Sequence, residues 1–453
     1  MFIEDLLPAG MFVFLAVFVF CGFPVAGVMA GSAIIFALIG WWYDVFRLVE
    51  FYTFWPRIYG QAADNIVLVA VPLFIFMGLM LERSGIAEKL LYCLQVLLRR
   101  VPGGLALAVI LMGTILAATT GIVGASVVML SLLALPMMVN QGYDKRLSTG
   151  VIAASGTLGI LIPPSIMLVI MGDLMNLSVG VLFVAAIVPG LLLAVLYVVY
   201  VLAVCWWNPA LAPPLAAGEG PRGMALVRLV VEGLVPPTAL IVFVLGSIFG
   251  GFATPTEASG VGALGATLLA WANGRLTLPT LRSVLDASAV TIGMVFMLIV
   301  AATCFAYVFR SLGGDDLVRD AMQAMPVGDW GILVGIMVIV FLLGIYLDWI
   351  EILLIVLPVF YTIFQNLDLG GHVAKNEQMF WFAILLAVNL QNSFLSPPFG
   401  ATLFYLKGTA PKSVTLGDIY WGVTPFMVLQ VIGLALIIAF PDIVLYLPRG
   451  MLD

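Results

Sequence analysis

Apolar residues run along this chain in unbroken stretches of about 20, the length a helix needs to cross roughly 30 Å of hydrocarbon, with polar residues clustered between them. The period-two alternation of a membrane β-barrel is missing. The runs predict helices near 8–22, 24–42, 64–82, 86–100, 103–139, 148–172 and 180–205, and again near 224–250, 254–272, 286–309, 314–326, 330–365, 379–406 and 418–446. In each series the fifth stretch is interrupted by Gly or Pro and reads as a hairpin, while the sixth carries a Pro-Pro pair. Proline removes a backbone donor and clashes with the preceding turn, so Pro163–Pro164 and Pro397–Pro398 each break a helix where no bulk water satisfies the freed groups.

Landmarks recur in order. Phe23–Gly27 aligns with Thr254–Ala258, Arg83–Gly85 with Arg310–Leu312, Pro136 with Pro358 and Pro163–Pro164 with Pro397–Pro398, at offsets of 231, 227, 222 and 234 residues. A hairpin that enters and leaves on one face adds no crossing, which leaves five crossings per repeat. An odd number inserts the two copies in opposite senses. The expected fold is an all-α polytopic membrane protein of two inverted-topology repeats, residues 1–207 and 224–453. They are joined by a Pro-rich cytoplasmic loop at 208–223, and the second copy carries extra loop around Asn366–Gln378. With the N-terminus outside, the cytoplasmic side collects twelve of the eighteen Lys and Arg and the outside six, among them Arg47, Arg57 and Arg310. That orientation opens the hairpin at 103–139 to the cytoplasm and the one at 330–365 to the outside, so that their tips approach near the midplane. Broken helices in paired positions point to a transporter's binding site.

Composition sharpens the class. The chain is 63% hydrophobic and 9% charged, with mean hydropathy +1.20, so nearly all of it belongs in a bilayer. The net charge of −6 is scattered, and no basic, aromatic-interleaved stripe invites nucleic acid. Met1–Pro8 is acidic and lacks the positive flank of a signal peptide, so the N-terminal segment is expected to be retained. Cys21, Cys93, Cys205 and Cys304 stand singly, without metal or redox spacing, and read as packing residues. His372 reads as a solvated loop residue.

The polar residues that interrupt the apolar stretches carry the candidate chemistry. In the first hairpin, Thr120, Gly121, Gly124 and Ser126 form a small-residue turn where backbone leaves helical geometry and oxygens converge. Ser155, Gly156 and Thr157, running into Pro163, Pro164 and Ser165, offer more carbonyls and hydroxyls of the kind that bind Na⁺. Either segment alone also fits a tight helix-packing interface. The counterpart is Asn389, Gln391, Asn392, Ser393, Ser396 and Pro397, a dense polar run at membrane depth, where such residues are costly and usually functional. Asp348 and Glu351, three apart at the second hairpin, either help bind a cation or face water at the outer mouth. No Lys or Arg lies mid-span, so an anionic substrate would be offset by half-helix N-termini and bound Na⁺, which predicts cation coupling. Thr254-Pro255-Thr256-Glu257 fits a capping box, with Thr254 as N-cap and Glu257 at N3. No GxxxxGK, HExxH or GxSxG motif is present.

Gly251–Gly262 (GFATPTEASGVG), Ile162–Ser165, Ile187–Gly190 and Ala387–Gly400 (AVNLQNSFLSPPFG) resemble the large membrane subunit of tripartite ATP-independent periplasmic (TRAP) transporters over nearly the whole chain. The resemblance implies an elevator-type, Na⁺-driven importer of an organic acid in the bacterial inner membrane, with no cofactor beyond the coupling ion. Its partners would be a separate small four-helix membrane subunit and a periplasmic substrate-binding protein. Carried over residue by residue, a first Na⁺ site would draw on Thr120, Gly124, Ser126, Gly156 and Thr157. A second would draw on Asp348, Gln391, Ser393 and Ser396, with substrate between them. Two other readings stand beside this one: a one-component Na⁺/dicarboxylate symporter, and a membrane-embedded enzyme using Asp348 and Glu351 as an acid pair.

Overall fold

The computed structural model describes residues 3–120, 123–214, 221, 223–323 and 328–452. Among the described residues seven helices are long and apolar enough to span a bilayer, or eight if one bent pair counts as a single span. The order of elements repeats. Ile3–Phe20, Val25–Trp42, a bent helix ending at Arg83, Ile86–Leu97, Gly104–Thr120, Val123–Asn140, the broken pair Lys145–Thr157 and Ile166–Leu174, and Val179–Trp207 make up the first series. Met224–Phe249, Pro255–Ala272, Leu278–Ser311, Gly314–Gln323, Asp329–Gly344, Trp349–Asn366, the broken pair Gln378–Ser393 and Ala401–Thr409, and Leu416–Ala439 make up the second.

The two series interlock. Val25–Trp42 packs on Leu278–Ser311, and its counterpart Pro255–Ala272 packs on Ala70–Arg83. The hairpin arm Val123–Asn140 packs on Ala401–Thr409, as Trp349–Asn366 packs on Ile166–Leu174. Each hairpin thus leans on the helix that follows the other series' proline break. Gln378–Ser393 is buried along its whole length, and Lys145–Thr157 from Leu147 onward. Small residues make this closeness possible: a Cβ on Gly150 would strike the backbone of Gly422, so Lys145–Thr157 and Leu416–Ala439 touch main chain to main chain. Met224–Phe249, by contrast, is mostly exposed at the periphery.

Three element boundaries differ from the sequence expectation. The third span of the first series begins at Leu48, and Leu48–Ala63 meets Val67–Arg83 at a 52° bend. Asn65 Oδ1 accepts the Val67 N–H at 3.1 Å and caps the restarted helix, so the break is held by a local turn. Its counterpart is one continuous helix from Leu278, with Thr277 as N-cap. The polar first turns, where Arg282 and Asp286 pair at 3.9 Å, read as loop in hydropathy alone. The last span ends at Ala439, and a further amphipathic helix, Asp442–Leu452, folds back on Val179–Trp207. Arg449 ties it to the start of Gln378–Ser393 by reaching Glu377 at 2.8 Å, and pairs within its own helix with Asp442 at 2.7 Å.

Candidate functional site

Helix Lys145–Thr157 starts at Asp144, whose carboxylate accepts the Leu147 N–H at 2.9 Å, and tightens into a 3-10 turn at Leu158–Ile160. The chain then passes through the Pro163-Pro164 pair and restarts at Ile166. Ser165 bridges the interruption by donating its hydroxyl to the Ile160 carbonyl at 2.5 Å. In the second series Gln378–Ser393 gives way to Phe394–Gly400 before Ala401–Thr409 begins. Both Pro-Pro peptide bonds are cis. A side chain at Gly400 would collide with the Phe394 carbonyl oxygen and approach that of Ser396 to 2.8 Å, so main-chain oxygens crowd this turn and only glycine fits among them.

The two breaks meet. Gln391 donates through Nε2 to Thr157 Oγ1 at 3.3 Å, and Thr157 in turn donates to Ala154 O at 2.9 Å. Asn389 ties its helix to the hairpin arm Asp329–Gly344 through Met337 O at 2.6 Å. Ser393 donates to Leu390 O at 2.7 Å, which leaves its oxygen lone pairs uncommitted. Four further buried side-chain oxygens here, Ser155 Oγ, Gln391 Oε1, Asn392 Oδ1 and Thr402 Oγ1, have no hydrogen-bond partner. Buried polar atoms are nearly always satisfied, so several orphans on the flanks of two broken helices mark a place built to receive something. The donor set is hydroxyl, amide and carbonyl oxygen, suited to a hard cation.

The hairpins bring their turns to this region. Gly124 lies under the Tyr405 ring, where a Cβ would come within 2.9 Å, and Gly156 is wedged against Val127. Gly344 abuts Ser393 so closely that an added methyl would overlap the hydroxyl. Asp348 is the exposed N-cap of Trp349–Asn366: its Oδ1 accepts the Trp349 N–H at 2.8 Å, and Glu351 accepts the Asp348 N–H at 3.2 Å. Both carboxylates therefore have a structural use at the helix start. Ser396 keeps only a long contact, 3.4 Å, to Pro397 O. Gly121 lies outside the described residues, as does the side chain of Thr120. Thr254 and Glu257 form the reciprocal cap of Pro255–Ala272, with Thr254 N–H donating to Glu257 Oε2 at 2.8 Å and Glu257 N–H to Thr254 Oγ1 at 3.3 Å.

Sequence reasoning passed over Tyr405 and the Asn65–Asp173 contact, where Asn65 Nδ2 donates to Asp173 Oδ1 at 2.6 Å. The signal available was a lone carboxylate, Asp173, at the end of an apolar stretch.

The family described as "Tripartite ATP-independent periplasmic transporter, DctM component" matches residues 12–443. The C4-dicarboxylate TRAP transporter large permease protein DctM of Rhodobacter capsulatus is 30% identical over 404 residues, 85% of this chain and 88% of that protein. The ectoine TRAP transporter large permease protein TeaC of Halomonas elongata is 28% identical, covering 84% and 86%. The 2,3-diketo-L-gulonate TRAP transporter large permease protein YiaN of Escherichia coli is 26% identical, covering 95% and 98%. In fold the chain is similar to the Alcanivorax borkumensis YdaH transporter, with TM-score 0.59 at 14% identity over 87% of this chain and 89% of that one. The relatives are permeases, which sets aside the acid-pair enzyme. Permeases of this kind work with a small membrane subunit and a periplasmic binding protein. Matched over residues 12–443, proline breaks included, the chain belongs to the DctM component family of the tripartite ATP-independent periplasmic transporters, as a multi-pass protein of the bacterial inner membrane.

Proposed function

We propose that this permease couples the entry of Na⁺ to the import of an organic acid, and that the hairpins and broken helices move as one body against the remaining helices in an elevator motion. The reading is supported above all by the orphaned oxygens Ser155 Oγ, Gln391 Oε1, Asn392 Oδ1 and Thr402 Oγ1, which flank two helix breaks joined by the Gln391–Thr157 contact. Unwound carbonyls and hydroxyls at mid-membrane replace the hydration shell of a small cation, whose charge then offsets that of the carboxylate. One cation site draws on Thr120, Gly124, Ser126, Gly156 and Thr157, the other on Gln391, Ser393, Ser396 and Asp348. In this reading the two repeats are inserted in opposite senses, so that both breaks come to the same depth. A carboxylate cargo fits the relatives named for C4-dicarboxylates and 2,3-diketo-L-gulonate, and the relative named for ectoine extends the range of cargo across the family.

The test is reconstitution of the chain with its small subunit in proteoliposomes, supplied with binding protein loaded from a panel of labelled carboxylates beginning with succinate. Uptake is expected to require an inward Na⁺ gradient. Uptake that persists when K⁺ replaces Na⁺ overturns the coupling, and uptake without any binding protein favours a one-component symporter.

A further inference from the structure

A cavity of about 830 Å³ is lined by residues at the end of the molecule that loop charge assigns to the outside. One wall is the bent segment of the first series, with Arg57 and Gln61, together with the last turns of Leu278–Ser311, with Tyr307 and Arg310. The facing wall is the end of the first broken span, Asp173–Asn176, and the apolar arm carrying Leu354 and Leu357.

Its charges are unequal. Arg57 lies over the Tyr307 ring, 4.4 Å from the centroid, and the Tyr307 hydroxyl donates to Glu50 Oε2 at 3.0 Å. Glu50 is thereby turned to Tyr307 and to the Arg47 N–H, at 3.3 Å, and makes no ion pair with Arg57. Among the described residues neither Arg57 nor Arg310 has an ion-pair partner within 4 Å. The one carboxylate in the lining, Asp173, is engaged by Asn65 at 2.6 Å and by Gln61 at 3.4 Å. Two arginines without ion-pair partners therefore line a concave space whose one lining carboxylate is hydrogen-bonded, while Glu50 stands behind Tyr307. Concave, low-dielectric walls focus such a field, and guanidinium is the side chain best shaped to hold a carboxylate.

We infer that this cavity is an antechamber that receives small carboxylates on Arg57 and Arg310, with the hydrocarbon part of the ligand against Leu354 and Leu357, before they reach the helix breaks. The ligand class rests on the reading of the chain as an organic-acid permease; the positive potential of the cavity does not.

The experiment uses the full chain in liposomes of zwitterionic phosphatidylcholine, which excludes anionic lipid headgroups. All four cysteines are replaced by Ser, and Ser311, which lines the cavity, is changed to Cys. The anionic reagent MTSES is expected to modify Cys at this position faster, relative to cationic MTSET, than in the same chain carrying R57Q and R310Q, by about tenfold. Millimolar succinate should slow modification in the first protein and not in the second, and R57K with R310K should retain the preference. A reagent preference unchanged by R57Q and R310Q overturns the antechamber, as does modification that succinate never slows. If wild-type uptake of carboxylates fails while the reagent preference behaves as expected, the transport reading falls and the anion site stands.

Discussion

Gln391 and Thr157, 234 positions apart in sequence, share a hydrogen bond of 3.3 Å between the two broken helices. Gln391→Ala should raise the Na⁺ concentration for half-maximal uptake about tenfold without reducing membrane insertion. With Thr157→Val it should show a coupling energy of about 1 kcal/mol, the net worth of one such bond. Uptake titrated with Na⁺ in proteoliposomes measures both. An unchanged Na⁺ midpoint in Gln391→Ala removes this residue from the ion site.

The contact of Gly344 with Ser393 leaves no room for a methyl group. Gly344→Ala should cost about 1–3 kcal/mol by overpacking and sharply reduce transport, and adding Ser393→Gly should restore part of the stability but not the transport. Thermal unfolding of the two purified variants checks the first statement and uptake the second. A Gly344→Ala protein as stable and active as wild type would show that the hairpin yields freely at this point.

Asn65 and Asp173 hold the bent helix to the first broken span at 2.6 Å. In an elevator motion these two positions separate. Cysteines at both, in a chain otherwise free of cysteine and bridged by a short bifunctional thiol reagent, should abolish uptake, and a reductant that opens the bridge should restore it. Full uptake by the bridged protein would place both residues on one rigid body.

Thr254 and Glu257 cap a helix well apart from the polar breaks. Thr254→Ala should cost about 1 kcal/mol of stability, and Glu257→Ala should lower the melting temperature in the same direction. Neither should move the Na⁺ midpoint. A Na⁺ midpoint shifted by Glu257→Ala, with melting unchanged, would reassign this carboxylate to the transport chemistry.

Apolar run length and proline position carry enough information to locate both hairpins, both breaks and most spans, because a bilayer admits few backbone arrangements. The capping motif at Thr254 was legible for the same reason: its chemistry is local in sequence. What escaped was non-local or amphipathic. Leu278–Asp286 and Asp442–Leu452 hide behind their charges. Asp348 reads as a candidate ligand from its type, while its geometry gives it a cap. Tyr405 and Asp173 acquire partners only when helices more than a hundred residues apart in sequence meet, and no spacing rule encodes that.

The bend between Leu48–Ala63 and Val67–Arg83 has a straight counterpart, Leu278–Ser311. Where the first series kinks, the second does not, so the two series differ at the place where Gln61 and Asn65 grip Asp173. Asp173 is thereby held by a helix turn that the straight helix does not offer.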